Sequence, residues 1–472
     1  MIRNCTLHIP QPLHERLTAH LFPGDFDEHG AVVAAGFVKT SSGYRLLARS
    51  LFIAKDGEDY VESKRGYRAL NARFISRCIT YCRDHRLVYL AVHNHGGFDS
   101  VGFSQVDYAS HQRGYRALLD IARGMPVGAL VFAERAVEAD IWFPDGSRSA
   151  LQHAVVLGTR LLHLWPSPPR VDEIEHEDLY HRQVLLFGKI GQARFTKAKI
   201  GIIGLGGIGS LVNEYLARLG VGYLVLVDPD HIVESNFSRV VGATVDDLIA
   251  KALKVDIAQR VAKQANPAVQ VETISSDLVQ EDVVTRLADC DYLFLAADSM
   301  RARLVFNALV QQHYIPGVQL GAKVSFEESS GEIQAAYSVV RRVRPGHGCL
   351  LCNQLINPAK LADEWKTDTE RHDQHYGTQI PNPSVITLNA VSAAHAVNGF
   401  LFDYLGLGVN DTGDQLYTRY DHLRSRQERI EPRCDITCPE CSPSDGSRLG
   451  MGDALGLPCV STMGSDARLS TG

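Results

Sequence analysis

The clearest change between apolar and polar segments begins near residue 199. Residues 200–203 form an apolar run typical of a buried strand, and residues 210–219 carry apolar positions at helical spacing. A second strand is predicted at 223–227 and ends at Asp228. Between the first strand and the helix lies a turn with four glycines, Gly204, Gly206, Gly207 and Gly209. This order of strand, glycine turn, helix and strand predicts a nucleotide-binding unit, because the turn lets phosphate approach the backbone and the helix N-terminus.

The residues around this turn favour a nucleoside triphosphate over a dinucleotide. The turn reads GxGGxGS, with a doubled glycine, and the second strand continues into the polar segment DPDHIVESNFSR. A dinucleotide site has little use for a second acid, an asparagine and an arginine there. Bound ATP with Mg²⁺ uses all of them, which makes Asp230, Asn236 and Arg239 candidate binding residues.

The N-terminal third contains a second candidate site. We predict strands at 31–38 and 44–53, a helix at 67–84 and a strand at 87–92 that leads into His93 and His95. Residues two apart on an extended segment point to the same side. Ser104 and Asp107 follow at a predicted helix start. Two histidines and one aspartate make a three-ligand zinc set with an open position for water.

These residues resemble the JAMM/MPN metalloprotease family, whose pattern is an early Glu, then HxH, a spacer and SxxD. The resemblance implies that His93, His95 and Asp107 bind zinc, that Glu28 is the general base and that Ser104 stabilises the oxyanion. The spacer is one residue longer than in the family, and Gly96 and Gly97 replace its usual proline.

Alternatives to this metal site stay open. An HxH pair on its own is more often a solvated or core pair than a ligand pair. Asp27 is an alternative to Glu28 as the base, and Asp99 is an alternative ligand.

A proline-rich stretch, WPSPPR at 165–170, and an acidic run after it indicate a linker at 161–177. Residues 178–443 resemble the ThiF/MoeB-like adenylyltransferases that activate ubiquitin-like proteins and sulfur carriers. The resemblance implies that Asp228 binds ribose and that Asn236, Arg239 and Lys254 contact the phosphates. It assigns Mg²⁺ to Asp298. Arg182 matches an arginine that enters the partner's active site, which implies a homodimer.

Two CxxC pairs are the strongest local signal in this second domain. Four thiolates fit a closed, structural zinc site, and a redox CxxC is the alternative. The pairs are Cys349 with Cys352 and Cys438 with Cys441. Residues 353–387, where related enzymes carry a reactive cysteine, contain none, so we expect no thioester on that segment.

The bulk composition limits the classes of partner. The chain has 472 residues and a formal net charge of −6, which indicates no broad surface for nucleic acid or membrane. The N-terminal residues lack the apolar core of a signal peptide, so we expect a cytoplasmic protein with reduced or metal-bound cysteines. Residues 444–472 are rich in Gly and Ser, and we predict a flexible tail there.

Together these patterns predict an α/β protein: a JAMM/MPN domain at 1–160, followed by a Rossmann-like, doubly wound adenylation domain with a four-cysteine zinc knuckle. The leading hypothesis is a bifunctional enzyme that processes or deconjugates a ubiquitin-like protein and adenylates its C-terminal glycine with ATP and Mg²⁺. A conjugating enzyme or a sulfur donor would act next. The alternatives are an enzyme that adenylates a peptide in a natural-product pathway, and a non-catalytic scaffold.

Overall fold

The computed structural model describes residues 4–61, 68–171, 177–327, 330–365, 383–407 and 416–460. The chain divides into two compact units. The first combines residues 1–170 with 311–314 and 436–456, and the second contains 171–310, 315–435 and the residues from 457 onward. No helix within the described ranges is long and apolar enough to cross a membrane.

The first unit is built on an eight-stranded sheet in the order β1-β3-β2-β4-β5-β6-β7-β8. Strand β1 pairs in parallel with both β3 and β7, so the sheet closes on itself. The elements are β1 Asn4–Pro10, α1 Gln11–Leu21, β2 Gly30–Lys39, β3 Gly43–Ile53, α2 Ala72–Asp84, β4 Val88–Asn94, α3 Gln105–Ala122, β5 Val127–Phe132, β6 Val137–Trp142, β7 Arg148–Leu157 and β8 Leu161–Leu164.

Helices pack into separate hydrophobic clusters of this unit. Helix α1 buries Leu13, Leu17 and Leu21, which recur at a spacing of four residues along one stripe. Helix α2 buries Phe74 and Cys78 in another cluster. Helix α2 begins after Asn71, whose side chain accepts a hydrogen bond from the Phe74 amide, so it is shorter than the predicted helix at 67–84. Residues 62–67 lie outside the described ranges.

The second unit has an eight-stranded sheet in the order β11-β10-β9-β12-β13-β14-β15-β16. The strands from β11 to β13 are parallel, and those from β13 to β16 are antiparallel. The elements are α4 Glu177–Lys197, β9 Lys199–Ile203, α5 Gly207–Arg218, β10 Tyr223–Val227, α6 Glu234–Phe237, α7 Val245–Ala250, α8 Lys254–Ala265, β11 Gln270–Ile274, α9 Glu281–Ala288, β12 Tyr292–Leu295, α10 Met300–His313, β13 Gly317–Phe326, β14 Ile333–Val343, α11 Pro358–Glu364, α12 Ile386–Leu405, β15 Tyr417–Asp421 and β16 Arg426–Ile430.

Helices bury their apolar sides in two separate clusters along this sheet. Leu216 of α5 and Phe400 of α12 belong to one cluster, and Val284 of α9 and Leu309 of α10 belong to the other. A mostly parallel sheet with helices packed in this way is the doubly wound arrangement that the sequence predicts for this part of the chain.

The segment after residue 443 differs in part from the predicted flexible tail. Residues up to 456 belong to the first unit, where Leu449 and Ser447 are buried. The Arg49 guanidinium donates to the Ser444 carbonyl at 3.0 Å and to the Leu449 carbonyl. These are contacts over about 400 residues of sequence, so local Gly and Ser content does not reveal them. Residues 461–472 lie outside the described ranges.

A buried charge pair of the second unit provides a test of its packing. Arg344 is fully buried, and its Nη2 atom lies 2.7 Å from Asp403 Oδ2. We expect Asp403→Ala to lower the free energy of unfolding by about 3–5 kcal/mol, because it leaves a buried guanidinium without its counter-charge. Urea denaturation measures this. Glu214→Ala, which removes an exposed i, i+4 pair with Arg218, is the control and should cost less than about 1 kcal/mol.

Candidate functional site

The nucleotide candidate residues lie where the strand order of the second sheet reverses. Strand β9 pairs with β10 on one side and with β12 on the other. In a doubly wound sheet this reversal opens a crevice beyond the carboxyl ends of the strands. The glycine turn follows β9, Asp228 follows β10 and Asp298 follows β12. The topology therefore brings these three predicted parts to one edge of the sheet.

The glycine turn has the backbone geometry that phosphate binding requires. Gly204 has a φ of +87°, and a Cβ there would lie 2.8 Å from the Ala297 amide nitrogen. Gly206 is the N-cap of α5, and a Cβ there would meet no atom within 4 Å. Gly207 and Gly209 form the first turn of the same helix. Among the described residues, the helix thus has free space beside its N-cap at Gly206, which suits an anion.

Asp228 holds the turn as well as facing the crevice edge. Its carboxylate accepts hydrogen bonds from the Leu205 amide at 2.6 Å and the Asp230 amide at 2.9 Å. Burial raises the pKa of this carboxyl, while the Lys254 charge at 3.8 Å opposes the rise. A carboxylate offers about four lone-pair positions, so acceptor capacity remains for ribose hydroxyls.

Lys254 is buried and paired within the second unit. Its Nζ donates to Asp230 Oδ2 at 2.6 Å, and its own amide donates to the Asp230 carbonyl at 3.0 Å. The salt bridge to Asp230 thus places Lys254, a predicted phosphate ligand, beside Asp228. A phosphate contact would compete with this pair for the ammonium group.

Arg239 lies beside the glycine turn. A Cβ on Gly207 would meet the Arg239 Cδ at 3.1 Å, so the arginine stem passes directly over that position. The guanidinium donates to the Ser235 carbonyl, and the Arg239 amide donates to the Asn236 carbonyl at 3.0 Å. The turn after α6 therefore holds Arg239 and Asn236 close together.

The remaining predicted residues of this unit are exposed. Asp298 follows β12 by three residues, and its charge opposes the lowering of the Arg303 pKa that burial causes. Arg182 lies on α4 with neighbours whose apolar side chains are unusually exposed. Leu179, Leu185 and Leu186 are 64%, 69% and 62% exposed. Helix α4 also contains a kink at Gly188, where φ is +72°.

The metal candidate in the first unit is a compact cluster of three ligands. His93 Nε2 lies 3.2 Å from His95 Nε2, and each of these nitrogens lies 3.5 Å from an oxygen of Asp107. Ligands at the usual zinc distances around one tetrahedral ion would be about 3.3 Å apart. Together with the cysteine pairs described below, these are the groups of the described residues that could bind a metal ion.

The surroundings of the ligands favour binding through the converging atoms. His95 Nδ1 lies 3.0 Å from the Gly102 carbonyl, which can only accept a hydrogen bond, so Nδ1 carries the proton and Nε2 is left for a metal. Burial acts to raise the Asp107 pKa, but hydrogen bonds from His93 and Ser104 outweigh it and hold that pKa well below its usual range. Asp107 is thus an anion at neutral pH, as a ligand must be.

Glu28 lies at the side of the cluster. Its Oε1 atom is 3.8 Å from His95 Nε2, and burial raises its pKa, against the opposing charges of the two histidines. A carboxyl with a raised pKa next to a metal-bound water is suited to accept a proton. The structure therefore places four of the five predicted residues, His93, His95, Asp107 and Glu28, around one point.

Ser104 has a structural role at the predicted helix start. It is the N-cap of α3: its Oγ accepts from the Asp107 amide at 3.2 Å and donates to Asp107 Oδ2 at 2.7 Å. Asp107 also accepts from the Ser104 amide at 2.7 Å, which completes a capping box. The hydroxyl predicted for the oxyanion is thus bonded to Asp107, a predicted metal ligand.

A buried polar network behind α3 was missed at the sequence level. His111 Nδ1 lies 2.8 Å from Asp140 Oδ2, which also accepts from Arg148 at 2.7 Å and Trp142 at 3.0 Å. His111 follows Asp107 by one helical turn, so this network fixes the helix that carries the ligand. The signal available in the sequence was the i, i+4 spacing of Asp107 and His111.

The first cysteine pair has the geometry of zinc ligands. Cys349 Sγ and Cys352 Sγ are 3.7 Å apart, and two thiolates on one tetrahedral zinc would be about 3.8 Å apart. Cys438 and Cys441 are both buried. Residues 366–382 of the segment without cysteines lie outside the described ranges.

A model of the ThiF family matches residues 180–433, more than half of the chain. The chain belongs to the ThiF family. The match covers the glycine turn, Asp228, Arg239, Lys254 and Asp298, and it begins after the metal cluster of the first unit.

Several curated proteins resemble this ThiF-family chain. The SAMP-activating enzyme E1 of Haloferax volcanii is 32% identical over 152 residues, 32% of this chain and 55% of that protein. The sulfur carrier protein adenylyltransferase of Thermus thermophilus is 35% identical over 136 residues, 28% of this chain and 49% of that protein. Ubiquitin-like modifier-activating enzyme 5 of Drosophila willistoni is 28% identical over 266 residues, 51% and 62% of the two chains. The chain spans about half the length of the first two and 62% of the third.

Among solved structures, Escherichia coli MccB with succinimide matches with a TM-score of 0.45 and 18% sequence identity. This match covers 57% of the ThiF-family chain and 75% of MccB.

The capping role of Ser104 can be tested by its effect on stability. We expect Ser104→Ala to lower the free energy of unfolding of the first unit by about 1 kcal/mol, because α3 loses its N-cap. Ser104→Thr keeps a hydroxyl cap and should stay within about 0.5 kcal/mol of the wild type. Urea denaturation compares the variants, and equal stability of all three would contradict the capping role.

Proposed function

We propose that this chain uses ATP to adenylate the C-terminal glycine of a small ubiquitin-like protein, and that its first unit is a JAMM/MPN-type zinc peptidase acting at that same glycine. The observation that carries the adenylation proposal is the meeting of the glycine turn, Asp228 and Asp298 at one crevice in a ThiF-family chain. Relatives named as activating ubiquitin-like modifiers and sulfur carriers support this substrate class.

The adenylation step forms one bond and breaks one. A carboxylate oxygen of the substrate bonds to the α-phosphorus of ATP, and the bond from that phosphorus to the oxygen bridging to the β-phosphorus breaks, releasing pyrophosphate. Charge builds up on the phosphate oxygens during this exchange. Arg239, which lies beside the helix N-terminus at Gly207, would neutralise this charge. Asp298 would hold Mg²⁺, which supplies further positive charge at the leaving group.

In the first unit, His93, His95 and Asp107 would hold zinc, which supplies a bound water that ionises near neutral pH. Glu28 would accept the proton of that water and return it to the leaving amine. The support for this step is the fit of the three ligands to a tetrahedral ion and the raised pKa of Glu28.

Two further parts of the proposal concern assembly and structural zinc. The exposed leucines beside Arg182 support a homodimer, in which Arg182 would reach the partner's site. The separation of the Cys349 and Cys352 sulfurs supports a second, structural zinc. Without a cysteine in residues 353–387, the acyl group would pass to a separate sulfur donor or conjugating enzyme.

Adenylation is tested by pyrophosphate exchange into ATP, with a synthetic peptide ending in Gly-Gly as acceptor substrate. We expect Asp298→Ala and Arg239→Ala each to lower the exchange rate more than about 100-fold, because each removes charge stabilisation of the transferred phosphoryl group. Asp246→Ala, which removes an exposed acid of α7, should leave the rate unchanged. Exchange retained in both site variants would contradict the assignment of the crevice.

The peptidase is tested with a substrate trap. We expect Glu28→Ala to keep the zinc at His93, His95 and Asp107 but to stall cleavage, so that the full-length variant retains substrate from its own cell lysate. Mass spectrometry identifies what is bound, with Glu134→Ala as the control for an exposed glutamate. Recovery of a small protein with a residue extension beyond its glycine supports a modifier pathway. Recovery of short peptides alone would favour the peptide-adenylating alternative, and a variant without bound zinc would contradict the ligand assignment.

A further inference from the structure

Asn94 stands between the two histidines of the metal cluster, as the last residue of β4. Its side-chain Oδ1 atom accepts a hydrogen bond of 2.6 Å from the His29 amide. Because a backbone N–H can only donate, this contact also determines which end of the amide is the oxygen. The middle residue of the HxH motif is therefore bonded to the residue that directly follows Glu28.

This contact acts where regular structure ends. Glu28 lies in a loop, residues 22–29, between α1 and β2. Strand β2 begins at Gly30, which pairs with His93 of β4. The hydrogen bond to the Asn94 side chain therefore continues the backbone pairing of β2 with β4 by one residue. This residue, His29, belongs to the loop that carries Glu28.

Three other contacts hold this loop and Gly30, the residue that follows it. Tyr60 Oη accepts from the Gly30 amide at 2.8 Å, and Arg68 bonds Asp27 at 2.8 Å. His29 bonds Asp25 within the loop itself at 2.9 Å. Asn94, in contrast, belongs to the segment that carries His93 and His95. It thus ties the position of Glu28 to the position of the ligands. A displacement of about 1 Å between a base and its reacting group lowers rates by orders of magnitude.

We propose that Asn94 is a positioning residue that holds the Glu28 loop in register with the metal ligands, an inference that rests on the proposed peptidase function. Its action is local: it fixes the His29 backbone and, through it, the Glu28 carboxylate 3.8 Å from His95 Nε2. It touches neither substrate nor the reacting atoms.

The test uses the full-length protein loaded with Zn²⁺. Asn94→Leu has nearly the same shape but no acceptor, Asn94→Ala removes the acceptor without adding an apolar group, and Asn94→Asp keeps an acceptor oxygen.

Hydrogen exchange of the His29 amide, read by mass spectrometry with fragmentation, should be about tenfold faster in the Leu and Ala variants than in the wild type and the Asp variant. Exchange of strand β5, outside the loop, serves as the internal control for folding. Zinc content, measured by elemental analysis, should be equal in all four proteins. Unchanged His29 exchange in both Leu and Ala variants would overturn the proposal.

A second readout follows cleavage of a fluorogenic peptide with an internal Gly-Gly junction. We expect Asn94→Leu to lower kcat by about tenfold or more with KM within twofold, and Asn94→Asp to restore most of kcat. An unchanged kcat in Asn94→Leu despite faster His29 exchange would overturn the positioning of Glu28. If the wild type cleaves no such peptide and no substrate from the trap, the peptidase function fails, while the exchange result still decides whether Asn94 holds the loop.

Discussion

The parallel pairing of β9 with both β10 and β12 is the constraint on which the proposed nucleotide crevice depends. Because β10 lies on one side of β9 and β12 lies on the other, the connections that lead to these two strands diverge and leave a gap beyond the carboxyl end of β9. The tight approach of Gly204 to Ala297 shows how little space separates the ends of β9 and β12. Any side chain at Gly204 would force these ends apart, and with them the glycine turn and Asp298.

Charge in this crevice is arranged before any ligand arrives. Asp228 is held by two backbone amides, and Lys254 is held by Asp230, so both side chains have defined positions in the free protein. Preorganised charges need not rearrange when charge develops on a reacting group, which is the main advantage of an enzyme site over water. The metal cluster follows the same logic, because the capping box at Ser104 orients Asp107 through the start of α3.

The parts of both sites that depend on local periodicity could be predicted from the sequence. The two-residue spacing of His93 and His95 predicts that their side chains point to the same side of the strand. The predicted helix start at Ser104 brings Asp107 near it on one face of the helix. The glycine turn of the second unit followed from its composition. The pairing of Asn94 with His29 could not be predicted, because it links residues 65 apart through a loop without a pattern. The burial of Leu449 was missed for the same reason: one apolar residue among glycines and serines becomes informative only when its distant contacts are known.

The first unit is assembled from three stretches of chain that are far apart in sequence, and this affects the order in which it can be completed. His8 bonds the Tyr314 carbonyl at 2.8 Å, and Arg49 bonds the Ser444 carbonyl at 3.0 Å. During synthesis, the ribosome makes the strands of this unit first, supplies Tyr314 after about half of the second unit, and supplies Ser444 only after most of the second unit. Until these residues have been made, His8 and Arg49, which are buried in the folded protein, lack these hydrogen-bond partners. The N-terminal 170 residues alone therefore lack the partners that His8 and Arg49 have in the complete first unit, and this unit is complete only when the chain has been made as far as residue 456.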